Sequence, residues 1–207
     1  GPDSLALAFL SKIYAIKNNL VSKFYIVDHK LRPESSKEAK FVSNLLKKNF
    51  ISSEILTWKG KKPEKSIQSI ARTKRYELLF KKCNQFKIKD ILMGHHEDDF
   101  IENFFIRLLR GSGIKGLTSL DKKTTIKKKN ILRPLIDIKK DDLIFISKKV
   151  FNFYVEDPTN QVEKYQRIRV RKLIKNLEKD GLDKKKLKKT IKNLKYANNV
   201  IEFYVDK

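Results

Sequence analysis

GHHEDDFIENFFIRLLRGSG, residues Gly94 to Gly113, sets two histidines and four carboxylates at the head of an amphipathic segment with a glycine-rich exit. At 100° per residue, Phe100, Ile101, Phe104, Phe105, Leu108 and Leu109 fall on one apolar stripe, with Asp99, Glu102, Asn103, Arg107 and Arg110 opposite, so the stretch reads as a helix with one face in a core. Carboxylates in a first helical turn gain from the helix dipole, yet Asp99 and Glu102, three residues apart, repel one another. Folding alone does not ask for that pairing. Two readings are open: a reaction centre, or a solvated acidic helix start beside incidental histidines. The histidines do not read as a metal site, because neighbours at a strand end point to opposite faces and zinc needs more convergent ligands. His95 is expected to face inward and His96 to be a hydrogen-bonded structural residue.

Outward from this helix, apolar runs alternate with helical periods. A helix from about Ser4 to Lys17 precedes a strand Phe24–Asp28, a helix near Ser36–Lys48 precedes Ser53–Trp58, and a helix near Ser66–Lys82 precedes Asp90–Gly94. Short strands separated by single helices predict an α/β fold: a doubly wound, mainly parallel, Rossmann-like sheet with a basic helical C-terminal extension. Asp28-His29 and Gly94-His95-His96 then stand at strand carboxyl ends, where open parallel sheets bind ligands. The lysine-rich link Asp121–Asn130 is expected to be mobile and exposed. A strand over Ile131–Ile136, a helix over Lys139–Val150 and a strand-like Phe153–Val155 follow. Tyr165–Lys207 reads as helical throughout, with ten lysines against three acids between Lys172 and Lys195. A boundary near Arg171 divides a catalytic domain, 1–171, from a helical extension, 172–207.

The net charge of +24, from 48 Lys and Arg against 24 Asp and Glu, implies a polyanionic partner bound in a salt-dependent way, unless it reflects only a lysine-rich compositional bias. The lone cysteine, Cys83, supplies neither a disulfide framework nor a cysteine-built metal cluster, and no stretch approaches the roughly 20 apolar residues of a membrane span. The start, GPDSLALAFL, lacks a basic leader, and the expected location is the cytoplasm.

Gly1-Pro2-Asp3-Ser4 resembles the end of a phosphate-binding turn feeding a helix, where backbone N–H groups with Ser4 Oγ hold a pyrophosphate. A tag remnant followed by a helix cap explains the same four residues. On the first reading, the strand that precedes such a turn and the turn's beginning lie ahead of Gly1.

Taken in order, these segments resemble the tRNA(Ile)-lysidine synthetases, a family of the PP-loop (N-type) ATP pyrophosphatases. GPDSLAL looks like the end of the SGGxDS pyrophosphate loop, VDHKLRPES like the DHxLR segment, and SIQSIARTKRYELL like the AR-x-x-RY helix. HHEDDFIENFFIRLLRGSGIKGL is similar to the HHxDD-x-x-E and RGSG-x-x-GL signature, and ILRPL, EDPTN and YQRIRVR to the elements that follow it. The resemblance covers nearly the whole chain.

It implies an ATP site on Gly1, Pro2, Asp3, Ser4, Asp28, Arg110 and Gly111, with Mg²⁺ on Asp3 or Asp98. It implies a reaction chamber of His95, Asp98, Asp99 and Glu102, in which Asp99 and Glu102 hold the substrate lysine. The implied reaction adenylates the C2 carbonyl oxygen of the wobble cytidine in tRNA(Ile) with a CAU anticodon, after which the ε-amine of free lysine displaces AMP. Arg72, Arg75, Arg133, Arg167, Arg169 and Arg171 are the candidate contacts to tRNA or phosphate, although Arg72 and Arg75 are also spaced to pair with nearby acids. Arg167 is equally placed to hold Glu156 and Asp157, whereas for Arg171 the tRNA or phosphate reading is preferred. A homodimer is left open, as are a tRNA thiolase and a non-catalytic RNA-binding member of the fold. Glu97, Phe100, Asn103 and Lys30 depart from the family pattern, which bears on fine substrate geometry but leaves the acidic positions in place.

Overall fold

The computed structural model describes residues 1–60, 63, 67–153 and 166–205. The chain divides into two compact units, Gly1–Leu92 with Thr125–Ile131 and Leu143–Val155, and Met93–Thr124 with Leu132–Asp142 and Glu156–Lys207.

In the first unit, α1 (Pro2–Lys17), β1 (Phe24–Asp28), α2 (Ser35–Lys48), β2 (Ser53–Thr57), α3 (Ile67–Gln85) and β3 (Asp90–Leu92) alternate as the apolar runs predict. Helix α1 starts two residues before the expected Ser4, because proline at the first helical position gives up an N–H that would have no partner there. Strands β1 and β2 pair in parallel from Phe24 opposite Ser53 to Asp28 opposite Thr57, with α2 as the crossover. Leu5, Leu46, Ile51 and Phe151 form the buried cluster, Phe151 coming from α6 (Lys140–Phe151). Helices α1, α2 and α3 end with left-handed residues, Asn19, Phe50 and Lys87, whose following N–H groups return to Ala15, Leu46 and Cys83 carbonyls.

The link expected to be mobile is ordered. Residues Lys123–Ile126 form β4 and Lys129–Leu132 form β5, joined by Lys127 and Lys128 at φ 49° and 61°, the paired positive angles of a two-residue hairpin turn. The strand expected over Ile131–Ile136 therefore begins earlier and stops before Pro134, which has no N–H to donate. Strand β5 lies between β3 and β4, and Asn130 N–H to Lys89 O (2.8 Å) with Met93 N–H to Leu132 O (2.9 Å) follow a parallel ladder. Among the described residues the strands thus form two small sheets, β1-β2 and β3-β5-β4, parallel except at the β4-β5 hairpin.

In the second unit, α4 (Glu97–Leu108), the short α5 (Ile114–Leu117), α7 (Gln166–Lys179) and α8 (Lys184–Val205) pack around Ile101, Phe104, Phe105, Val170, Ile174 and Ile191. The basic tail is two helices, turned at Gly181 (φ 99°), where Leu182 N–H reaches Leu177 O at 2.7 Å. Helix α7 runs unbroken through Arg171. The apolar stripe of α4 is shorter than its periodicity predicts, since Leu108 and Leu109 are exposed where the helix ends. Among the described residues, no helix is long and apolar enough to cross a membrane. Tyr154, Val155 and the EDPTN segment, with the pairs expected of Glu156 and Asp157, lie outside the described residues.

Candidate active site

The HHEDD spacing has a local cause. His96 is the N-cap of α4: its Nδ1 accepts the Asp98 N–H (3.3 Å), and Asp99 Oδ2 accepts the His96 N–H (3.2 Å), a reciprocal capping box. His96 is 2 % exposed, in keeping with its expected structural role. Asp99 is buried with it, and Glu102, one turn on, is 2 % exposed. The acidic side of α4 therefore faces protein, not solvent.

Two guanidiniums from α7 meet those carboxylates. Arg171 Nε donates to Glu102 Oε1, Arg167 Nε lies 3.0 Å from Glu102 Oε2, and Arg167 Nη2 lies 3.8 Å from Asp99 Oδ1. Burial raises the Glu102 carboxyl above its ordinary range, and the two arginines oppose that without overcoming it. Arg171 is raised in turn, its own desolvation outweighed by the bond to Glu102.

Beside this cluster a cleft of about 220 Å³ is lined by His96, Asp98, Glu102, Arg171, Glu178 and Lys184, with Lys140 and Lys175 adding further cations. Lys184 Nζ sits 3.3 Å from Asp98 Oδ1 and 3.1 Å from Glu178 Oε1. Burial disfavours its charge, yet Glu178 and Asp98 together hold it above the usual lysine range. The ammonium held between Asp98 and Glu178 is thus the chain's own, and Lys140 and Lys175 stand near it on the cleft wall. His95, expected to face inward, does not line the cleft; His96 does.

The nucleotide candidates fall at the head of α1. Gly1 is the N-cap, Asp3 lies in the first turn, and Ser4 is exposed. Pro2 is buried, its carbonyl accepting Ser147 Oγ at 2.8 Å. Asp28, 4 % exposed, accepts from the Lys30 N–H, Ser35 Oγ and Ser36 Oγ at 2.9, 2.8 and 2.6 Å, so its carboxylate braces the turn into α2. Burial alone would raise its pKa; the bonds from Ser36, the Lys30 N–H and Ser35 win and lower it. In His29, neither ring nitrogen finds a hydrogen-bond partner among the described residues, and burial, aided by Arg75 and opposed by Asp28, holds the imidazole down to about 4.

Arg133 is corrected outright as an RNA contact. It is 3 % exposed and donates from Nη1 to Asp121 O and Thr124 Oγ1, both at 2.8 Å, holding the approach to β4. Arg72 stacks over the Tyr76 ring and donates to its hydroxyl at 3.2 Å. Arg169 is exposed. Arg110 is exposed and donates to Gln166 Oε1. Gly111, at φ 66°, closes α4, with its N–H on Leu108 O and the Ser112 N–H on Arg107 O. Glu178 and Lys184 were not legible as site residues, because they lie far along the chain and carry no local signal beyond charge.

Parallel strands joined by helices, with polar groups at strand carboxyl ends, define the class of α/β domains that bind ligands at those ends. Residues 1–177 match the PP-loop domain family, and the chain belongs to that family. It is 39 % identical over 177 residues to the tRNA(Ile)-lysidine synthase of Orientia tsutsugamushi, a match covering 86 % of this chain and 40 % of that protein. It is 34 % identical over 208 residues to that of Rhodopseudomonas palustris (100 % and 60 %), and 35 % identical over 206 residues to that of Wolbachia pipientis wMel (99 % and 48 %). The chain thus spans about half the length of the curated relatives it matches. A solved U34-tRNA thiolase, NcsA from Methanococcus maripaludis, superposes with a TM-score of 0.73 over 95 % of this chain and 68 % of that one, at 17 % identity, a likeness of fold alone.

Proposed function

We propose that this chain carries the catalytic domain of a tRNA(Ile)-lysidine synthetase, joining free lysine to C2 of the wobble cytidine of tRNA(Ile) at the expense of ATP. The observation that carries the reading is the cleft at the head of α4, which Asp98, Glu102 and Glu178 line beside the buried Asp99, and in which Asp98 and Glu178 hold the chain's own Lys184 ammonium. Kinship to proteins of that name over nearly the whole chain supports it.

In the proposed reaction the C2 carbonyl oxygen of the cytidine attacks the α-phosphorus of ATP and pyrophosphate leaves. The lysine ε-amine then attacks C2, AMP departs with the former carbonyl oxygen, and the amine gives up a proton. Free lysine arrives as an ammonium, so the site must hold that charge and then accept the proton, which clustered carboxylates do. Asp99 and Glu102 take this role. Arg167, 39 % exposed and resting on both Asp99 and Glu102, is the cation that a tRNA phosphate would draw away, which would uncover Asp99 and one side of Glu102 for lysine when RNA is bound, while Arg171 stays on Glu102 Oε1.

Gly1 to Ser4 open α1, whose backbone N–H groups and dipole suit a pyrophosphate. Mg²⁺ bound to ATP takes most of its shell from phosphates and water and needs one or two carboxylates. Asp3 in the first turn of α1 suits that part; Asp98 is engaged by Lys184. When bound, the ion would neutralise charge building on the phosphoryl oxygens.

The test is transfer of label from lysine to RNA. Protein incubated with tRNA(Ile), ATP and radiolabelled lysine should yield labelled tRNA, and RNA that stays unlabelled overturns the reading. Asp99→Asn keeps an acceptor oxygen for the His96 N–H, so it should preserve the fold and tRNA binding while abolishing transfer. Transfer at the wild-type rate would remove Asp99 from the reaction.

A further inference from the structure

The lysines of α8 divide between two faces. Lys184, Lys188, Lys192 and Lys195 fall within about 80° of arc at 100° per residue, and each has a carboxylate partner. Lys184 meets Asp98 and Glu178, Lys188 meets Glu97 and Asp137 at 2.9 Å each, Lys192 meets Asp137 at 3.4 Å and Lys195 meets Asp121 at 3.8 Å. These four serve internal neutralisation. The buried Ile191 and Asn198 belong to the same face.

The opposite face is organised differently. Lys185, Lys186 and Lys189 are exposed along the first turns, and the same side continues into Tyr196 (67 % exposed), Val200 (56 %) and Tyr204 (71 %), with Phe203 edge-on to Tyr204. Exposed aromatic rings are unfavourable in water, and here they extend a run of lysines. Lysines that grip a phosphate backbone followed by rings on which unpaired bases stack are the recurring means of binding single-stranded nucleic acid. The net charge of +24 makes an RNA occupant of this face more favourable than a second, equally charged copy of the chain.

We infer that the outward face of α8, Lys185, Lys186, Lys189, Tyr196 and Tyr204, is an RNA-docking surface that holds backbone phosphates on its lysines and an unpaired base on its tyrosines. The inference rests on the tRNA reading above and adds where on the chain the RNA is held.

Binding is measured by fluorescence anisotropy with two probes, an RNA hairpin bearing a single-stranded loop of anticodon size and a fully paired RNA of equal length. Lys185→Glu/Lys186→Glu/Lys189→Glu should weaken both by roughly tenfold or more and lower the slope of log affinity against log salt by about 2 to 3. Tyr196→Ala/Tyr204→Ala should weaken the hairpin roughly five- to hundredfold and leave the paired probe unchanged. All five positions are exposed, and circular dichroism checks that the variants fold. Hairpin binding by both variants at wild-type affinity overturns the surface assignment and leaves the tRNA reading standing. Wild-type protein that binds neither RNA overturns the tRNA reading itself. Tyrosine substitutions that abolish self-association in sedimentation, with RNA binding intact, make the face a contact between copies and overturn the proposal.

Discussion

Arg167 Nε lies 3.0 Å from Glu102 Oε2, so a guanidinium stands on the carboxylate that the proposed reaction assigns to substrate lysine. Removing it should expose the acidic pair in the absence of RNA. Arg167→Ala is expected to tighten the binding of free lysine several-fold and to weaken tRNA, read by calorimetric titration of lysine and anisotropy of tRNA. Lysine binding that is unchanged or weaker means Arg167 does not guard the pair.

Glu102 also anchors the packing of α4 on α7. With Glu102→Ala, Arg171 keeps its charge in a half-buried place and loses the Glu102 bond, and breaking a buried pair from one side costs about 3 kcal/mol. Urea denaturation should show that loss for Glu102→Ala and a smaller one for Glu102→Gln, which still accepts from Arg171. A loss under about 1 kcal/mol would mean the pair contributes little to the fold.

The His29 imidazole, held down to about 4 against an unfolded value of about 6.5, favours the folded chain in its neutral form. Its contribution is present above pH 6.5 and is lost as pH falls through 4. Denaturation midpoints followed from pH 7 to 4 should fall for the wild type and fall less for His29→Gln. Parallel curves for the two proteins would assign the acid sensitivity elsewhere.

Asp137 accepts Lys122 and Lys188 at 2.8 and 2.9 Å and lies 3.4 Å from Lys192, and these cations keep its carboxyl far below the usual range although burial pushes the other way. Asp137→Asn leaves three ammoniums around a neutral group and should cost about 1 kcal/mol at low salt, with a smaller effect at 1 M salt. Melting temperatures at both salt concentrations check it; a loss that does not depend on salt would point to packing instead.

Phe50 is 88 % exposed and closes α2 at φ 58°, a left-handed conformation that costs a residue bearing a Cβ about 1 kcal/mol relative to glycine. Phe50→Gly should therefore raise stability by a few tenths to about 1 kcal/mol in urea denaturation, since the greater freedom of unfolded glycine offsets part of the gain. A destabilised variant would show that the exposed ring has packing value at this position.

Local features were legible in the one-dimensional pattern wherever their cause is local. Strand Phe24–Asp28 sits where its apolar run predicts, and helix α2 begins one residue from its expected start, because hydrophobic period and turn chemistry act over a few residues. The acidic head of α4 was equally visible, since a capping box is written within four positions. Failures came where the cause is distant or specific to a turn. The lysine-rich link became a hairpin because Lys127 and Lys128 take left-handed angles that composition does not announce. Arg133 looked like a phosphate contact and is buried on Asp121 and Thr124.

The order of elements, the acidic helix start and the surplus of positive charge were determined by the sequence alone, because each depends on neighbours in the chain or on a simple sum. Only the tertiary structure decided that Glu102 is buried under Arg167 and Arg171, that Lys184 closes on Asp98 and Glu178, and which lysines of α8 remain for a partner. A side chain's charge is a property of the residue. Whether that charge is neutralised within the fold or offered to a ligand depends on groups brought within a few ångströms by packing, and periodicity carries no information about them.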